Sequence, residues 1–161
     1  MQLLFLLLLL VVPYFILTLL NRWTAAFKTR AVTRAKVGLS LFFAFTATGH
    51  FIRTAEMSAM LPPAIPYRVE LVYATGVLEL LGAIGIWLSG LTRLTGICLI
   101  LMLLAFLPAN IYAAIHRIEF GGHGAGLVYL LVRVPFQLFV IGWTYWATEQ
   151  RWFDTRACKH E

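Results

Sequence analysis

Seven residues able to do chemistry stand in otherwise apolar stretches: Thr46, His50, Glu79, Asn110, Tyr129, Arg133 and Gln137. A carboxylate and an imidazole can exchange a proton, so Glu79 and His50 are the catalytic candidates. Arg133, Gln137, Asn110, Thr46 and Tyr129 offer hydrogen bonds to ligand oxygens and are the binding candidates. An ionised side chain at the centre of a membrane helix costs about 2.5–3.5 kcal/mol, so each such residue needs a partner, structural or functional. Around Glu79, the residues Thr75, Gly76, Gly82 and Ala83 form a stripe of small side chains. Small residues let helices approach closely, so Glu79 should face another helix, with Arg133 as its expected partner. A pair of that kind can equally be a structural device that fixes helix register.

The elements that must position these groups are helices in lipid. Of 161 residues, 61% are hydrophobic and only 12% are charged, and the mean hydropathy is +0.84. Soluble domains carry roughly twice that share of charge. Five apolar segments, about 2–20, 37–52, 69–88, 94–115 and 127–146, each approach the roughly 20 residues that cross a bilayer. Helices satisfy their own backbone polar groups where water is absent, so a helical bundle is expected. The first segment lacks a basic flank before it and a small-residue cleavage site after it, so it reads as a retained transmembrane helix and not a signal peptide.

The net charge of +6 is distributed as in a membrane protein, and a nucleic-acid partner is not expected. Arg22, Lys28, Arg30, Arg34, Lys36, Arg93, Arg151, Arg156 and Lys159 fall on one side, and Arg53, Arg68 and Arg117 on the other. This bias places the N-terminus outside and the C-terminus in the cytoplasm. The chain then divides into an N-terminal helix (1–20), a basic cytoplasmic loop (21–36), a four-helix membrane domain (37–148) and a basic, aromatic tail (149–161). Trp23, Trp87, Trp143, Trp146 and Trp152 are expected as interfacial anchors on the cytoplasmic side, and Tyr67, Tyr73, Tyr112 and Tyr129 on the other. The polar candidates all fall in the outer half of the bundle.

Cys98 and Cys158 are far apart, which argues against a dithiol centre. His50, His116, His123 and Glu79 lack metal-ligand spacing, so no metal is expected. Pro108 should free the carbonyl of Leu104, and Pro135 that of Leu131, giving kinks suited to a cavity wall. The segment from Arg53 to Arg68, with "LPPAIP", should form a short helix and an extended turn over the outer mouth. "GGHGAG" at 121–126 reads as a flexible outer turn.

The segments "GHF" (49–51), "MLPPAIP" (60–66), "YATGVLELLGAIGIWL" (73–88), "FLPANIYAA" (106–114) and "RVPFQLFVIGWTYWAT" (133–148) occur in an order that resembles the DoxX-like family of small bacterial membrane proteins. The resemblance covers about 110 residues. It implies an all-α, four-helix transmembrane bundle in the bacterial inner membrane, here extended to five spans by the N-terminal helix. It also implies membrane redox chemistry, with His50, Glu79, Asn110, Arg133 and Gln137 as the family's polar set and a quinone as cofactor. The leading expectation is a quinone- or isoprenoid-binding component of a redox system, an oxidoreductase subunit or accessory with a redox partner protein, bathed in membrane lipids. The alternative is a non-catalytic scaffold or chaperone for a partner protein, and a small transporter is the third reading.

Overall fold

A computed structural model describes residues 2–23 and 29–149. The expected tail, with Arg151, Trp152, Arg156, Cys158 and Lys159, and Lys28 of the basic loop lie outside the described residues. Six α-helices follow in order: α1 (Gln2–Trp23), α2 (Ala31–Ile52), α3 (Thr54–Ala59), α4 (Arg68–Gly85), α5 (Thr92–Ile115) and α6 (Leu127–Thr148). A 3-10 turn, His123–Ala125, lies between α5 and α6. Among the described residues there is no strand.

Four of these helices, α1, α2, α5 and α6, are long and apolar enough to cross a membrane. The chain is therefore an all-helical, multi-pass membrane protein. α4 is shorter, at 18 residues, and carries Arg68, Glu70 and Glu79. Helix α2 begins at Ala31, six residues before the expected start, so Arg34 and Lys36 are helical and not part of a loop. Thr29 is tied to the end of α1 by Asn21, whose side chain receives the Thr29 N–H at 3.1 Å and donates to the Thr29 carbonyl at 3.3 Å.

Helices α2, α4, α5 and α6 pack in a closed ring, and α1 lies against α2 with a lighter touch on α6. In lipid, apolar burial gives little drive between helices, so close contact and hydrogen bonds must hold them. Glycines supply the close contact. A Cβ on Gly38 would collide with the Leu10 carbonyl of α1, and one on Gly76 would lie 2.7 Å from the Cβ of His50. Leu10, Leu39, Phe43, Ile86, Leu99 and Val140 fill the interior and are almost wholly buried.

The side-chain hydrogen bonds add register. Trp87 donates to Ser40 at 2.7 Å, and Ser40 donates in turn to the Ala83 carbonyl at 3.0 Å. Trp143 donates to the Ala35 carbonyl at 3.3 Å and packs edge-on to Tyr14 and Trp146. Trp143 and Trp146, expected as interfacial anchors, are partly buried and also pack against the core. Their i, i+3 spacing places them on the side of α6 that carries Val140, Thr144 and Ala147.

The segment between α2 and α4 is a short helix followed by bends, as the prolines required. Replacing Gly76 by Ala should force α2 and α4 apart and cost about 1–3 kcal/mol, the range for overpacking. The control is Gly142→Ala, where an added Cβ meets nothing within 4 Å. That change should be neutral or mildly stabilising by helix propensity. Thermal unfolding of both variants in detergent checks the contrast.

Candidate functional site

The polar candidates gather at the end of the bundle where α2 and α5 finish and α4 and α6 begin. The N-terminus of α1 reaches the same end, since Gln2 lies close to Gly121. Two clusters form there, with Arg133 within electrostatic range of both.

The first cluster lies between α2 and α4. Gly76 lets the backbone of α4 approach His50, which is 8% exposed. The Nδ1 of His50 is 3.0 Å from the Val72 carbonyl and 3.1 Å from the Thr75 hydroxyl. A carbonyl can only accept, so Nδ1 carries a hydrogen. The opposite nitrogen, Nε2, faces Glu79 Oε1 at 3.6 Å. Nε2 and Oε1 attract only if one proton lies between them, on the imidazole or on the carboxyl. At that separation the two groups lie beyond hydrogen-bond distance but within range of an ion pair. Glu79 is 3% exposed, and its second oxygen, Oε2, has no hydrogen-bond partner among the described residues.

Glu79 does face another helix, as its small neighbours required, but its ion-pair partner is His50. Arg133, expected in that role, makes neither an ion pair nor a hydrogen bond among the described residues. It is half-buried, with its Nε fully enclosed and unpartnered. Its charge nevertheless acts on Glu79 and Tyr129.

The second cluster is a chain of side chains across α5, the 3-10 turn and α6. Gln137 donates through Nε2 to the Leu103 carbonyl and accepts through Oε1 from Asn110 Nδ2 at 3.3 Å. Asn110 Oδ1 lies 3.2 Å from His123 Nε2, and His123 Nδ1 lies 2.7 Å from the Phe120 carbonyl. Asn110, His123 and Gln137 are all buried. Pro108 removes a donor from this turn of α5. The carbonyl that a side chain reaches is Leu103, one residue before the expected Leu104.

This chain ends on a carbonyl at each side, and an amide passes its polarity straight through. All four bonds therefore form only when both nitrogens of His123 donate, which is the imidazolium. Burial opposes that charge and pushes the His123 pKa below the ordinary range; the Phe120 hydrogen bond pulls it up, and Arg133 pushes it down. With burial dominant, the neutral ring keeps the 2.7 Å bond to Phe120 and the longer Asn110 contact is the weak link.

His123 was missed as a binding candidate because "GGHGAG" reads as a flexible turn. The glycines are the signal: Gly121, Gly122 and Gly126 take positive φ and fold the turn back so that His123 points inward. Tyr129 packs edge-on to His123 at 4.8 Å, which brings it into the cluster. Thr46 stays outside both clusters, its hydroxyl donating to the carbonyls of Phe42 and Phe43 in its own helix. His116 is exposed and bonds within its own helix. Among the described residues, no three His, Cys, Asp or Glu side chains converge on a metal position.

An apolar groove of about 690 Å³ runs between α1 and α6, lined by Leu3, Leu7, Val11, Val132, Phe136 and Phe139 among others. Arg133 falls in sequence between two of its lining residues.

A helical, multi-pass membrane bundle with a buried polar layer is the class that fold and site define. Residues 39–148 match the family model described as Domain of unknown function (DUF8561), and the chain belongs to that family. No curated protein and no solved structure matches the chain.

The shift at His123 fixes a pH dependence. Its folded pKa lies below the unfolded value of about 6.5, so the unfolded chain binds more protons in the window beneath that value. Its contribution to stability is complete above about pH 6.5 and is lost as pH falls through the folded pKa. Melting in detergent at stepped pH should show Tm falling on acidification, and His123→Asn should flatten that part of the slope. An unchanged slope would remove His123 as its source.

Proposed function

We propose that this protein is a five-span membrane protein, with α4 as the fifth span, that binds a quinone or related isoprenoid in a membrane redox system. The observation that carries the reading is that, of three enclosed side-chain atoms without a partner among the described residues, Arg34 Nε, Glu79 Oε2 and Arg133 Nε, the last two belong to the polar layer. A buried polar atom left unpaired costs about 1–3 kcal/mol, more when charged, so such atoms mark a place that a ligand completes.

The apolar groove between α1 and α6 supports the same reading, because its lining suits an apolar tail. The His50–Glu79 couple would exchange a proton with the headgroup, while Arg133, Gln137 and Asn110 would orient it. The resemblance to DoxX-like proteins supports a redox setting in the bacterial inner membrane. The distribution of Lys and Arg supports a polar layer that faces outward.

Mass spectrometry of solvent extracts from the detergent-solubilised protein tests this. Wild type, Glu79→Gln and Arg133→Ala should be compared at matched folded yield. A stoichiometric isoprenoid in wild type, depleted at least about tenfold in both variants, is the expected result for loss of a charge-assisted contact. An empty wild type with variants that fail to accumulate would instead favour the scaffold reading.

A further inference from the structure

Arg68 and Glu70 open α4 with two opposite charges that do not neutralise each other. They lie two positions apart on the helix, and residues at that spacing do not face one another. Among the described residues, neither belongs to an ion pair. Both nevertheless line one cavity of about 570 Å³, together with Ser58, Ile65, Tyr67 and Val69. That volume lies within the roughly 300–1,000 Å³ of small-molecule sites. The proline loop shapes the cavity. Arg68 donates to the Leu61 carbonyl at 3.5 Å, and Tyr67 takes a left-handed backbone, φ 53°, between the loop and α4. The Ser58 hydroxyl donates to the Ala55 carbonyl at 2.8 Å, which leaves its oxygen lone pairs able to accept.

A ligand that completes this lining brings an anion to Arg68 and a cationic donor to Glu70 and Ser58. The place of the cavity selects the source of such a ligand. It lies at the end of the bundle where α2, a helix long enough to cross the membrane, finishes and α4 begins. Val69 in its lining and Leu71 beyond it are exposed apolar side chains. A phospholipid sets its head at the end of a spanning helix and its chains along such residues. We propose that this cavity holds the head of a phosphoethanolamine phospholipid, with Arg68 on the phosphate and Glu70 and Ser58 accepting from the primary ammonium. A primary ammonium carries three N–H donors, whereas a choline head has none and is recognised by a cage of aromatic faces. The lining supplies a single aromatic ring, Tyr67. The proposal stands apart from the isoprenoid reading, because none of these residues belongs to the polar layer.

Native mass spectrometry of the full-length protein released from detergent tests it, with phosphatidylethanolamine and phosphatidylcholine of identical chains titrated separately. Wild type should bind the ethanolamine lipid about tenfold more tightly, the factor for one hydrogen bond to a charged group. In Glu70→Gln that preference should shrink, because a neutral amide oxygen accepts more weakly than a carboxylate. Arg68→Gln should weaken both lipids by a similar factor, since both carry the phosphate. Equal affinity for the two lipids in wild type would overturn the assignment without recourse to any variant. A preference that persists undiminished in Glu70→Gln would place the lipid elsewhere and overturn the cavity as its site. Soluble phosphoethanolamine bound as tightly as the lipid would overturn the membrane as the source of the head group.

Discussion

The close approach of α2 and α4 at Gly76 is the constraint on which the rest of this structure depends. A carboxylate in a membrane-spanning bundle must be enclosed and given a partner, and Glu79 achieves both through that one contact. With no side chain at position 76, the backbone of α4 lies against His50, and the imidazole sits over the next turn, within reach of Glu79. The Val72 carbonyl and the Thr75 hydroxyl then fix the ring from its other nitrogen. A larger residue at 76 would separate the helices and leave a buried charge without its counterpart.

The second cluster shows a different solution to the same problem. Asn110 and Gln137 are neutral, so their burial demands hydrogen bonds but no counter-charge. They find those bonds in each other, in a backbone carbonyl of α5 and in His123. Bonds of this kind between membrane helices are worth about 0.6 kcal/mol on average. Their value here lies in geometry, since they lock α5 to α6 on one side of Arg133 while the His50–Glu79 couple stands on the other. Among the described residues, Arg133 Nε and Glu79 Oε2 are left without a hydrogen-bond partner.

Much of this was legible in the chain. Apolar runs near the length of a bilayer gave the helices, and the small residues around Glu79 gave the face it presents. Asn110, Arg133 and Gln137 were recognisable as polar residues at a common depth. The register of contacts was not legible. Glu79 sits at a depth from which either His50 or Arg133 could be reached, and only the spacing of the helices decides between them. Thr46 has the right depth too, yet its hydroxyl turns back to its own helix, a local competition that depth does not reveal. Trp143 and Trp146 have the composition of interfacial anchors, and only the position of Tyr14 on a neighbouring helix draws them inward.

By itself, then, the sequence determined the helical class, the membrane setting and the set of residues able to do chemistry. Those follow from local properties: hydropathy, period and the cost of a charge in lipid. Tertiary structure alone decided which of those residues meet. It paired Glu79 with His50, left Arg133 Nε without a partner among the described residues and brought His123 in from a turn. Each of these depends on helix separations of a few ångströms, which are set by glycines packing against residues far away in the chain.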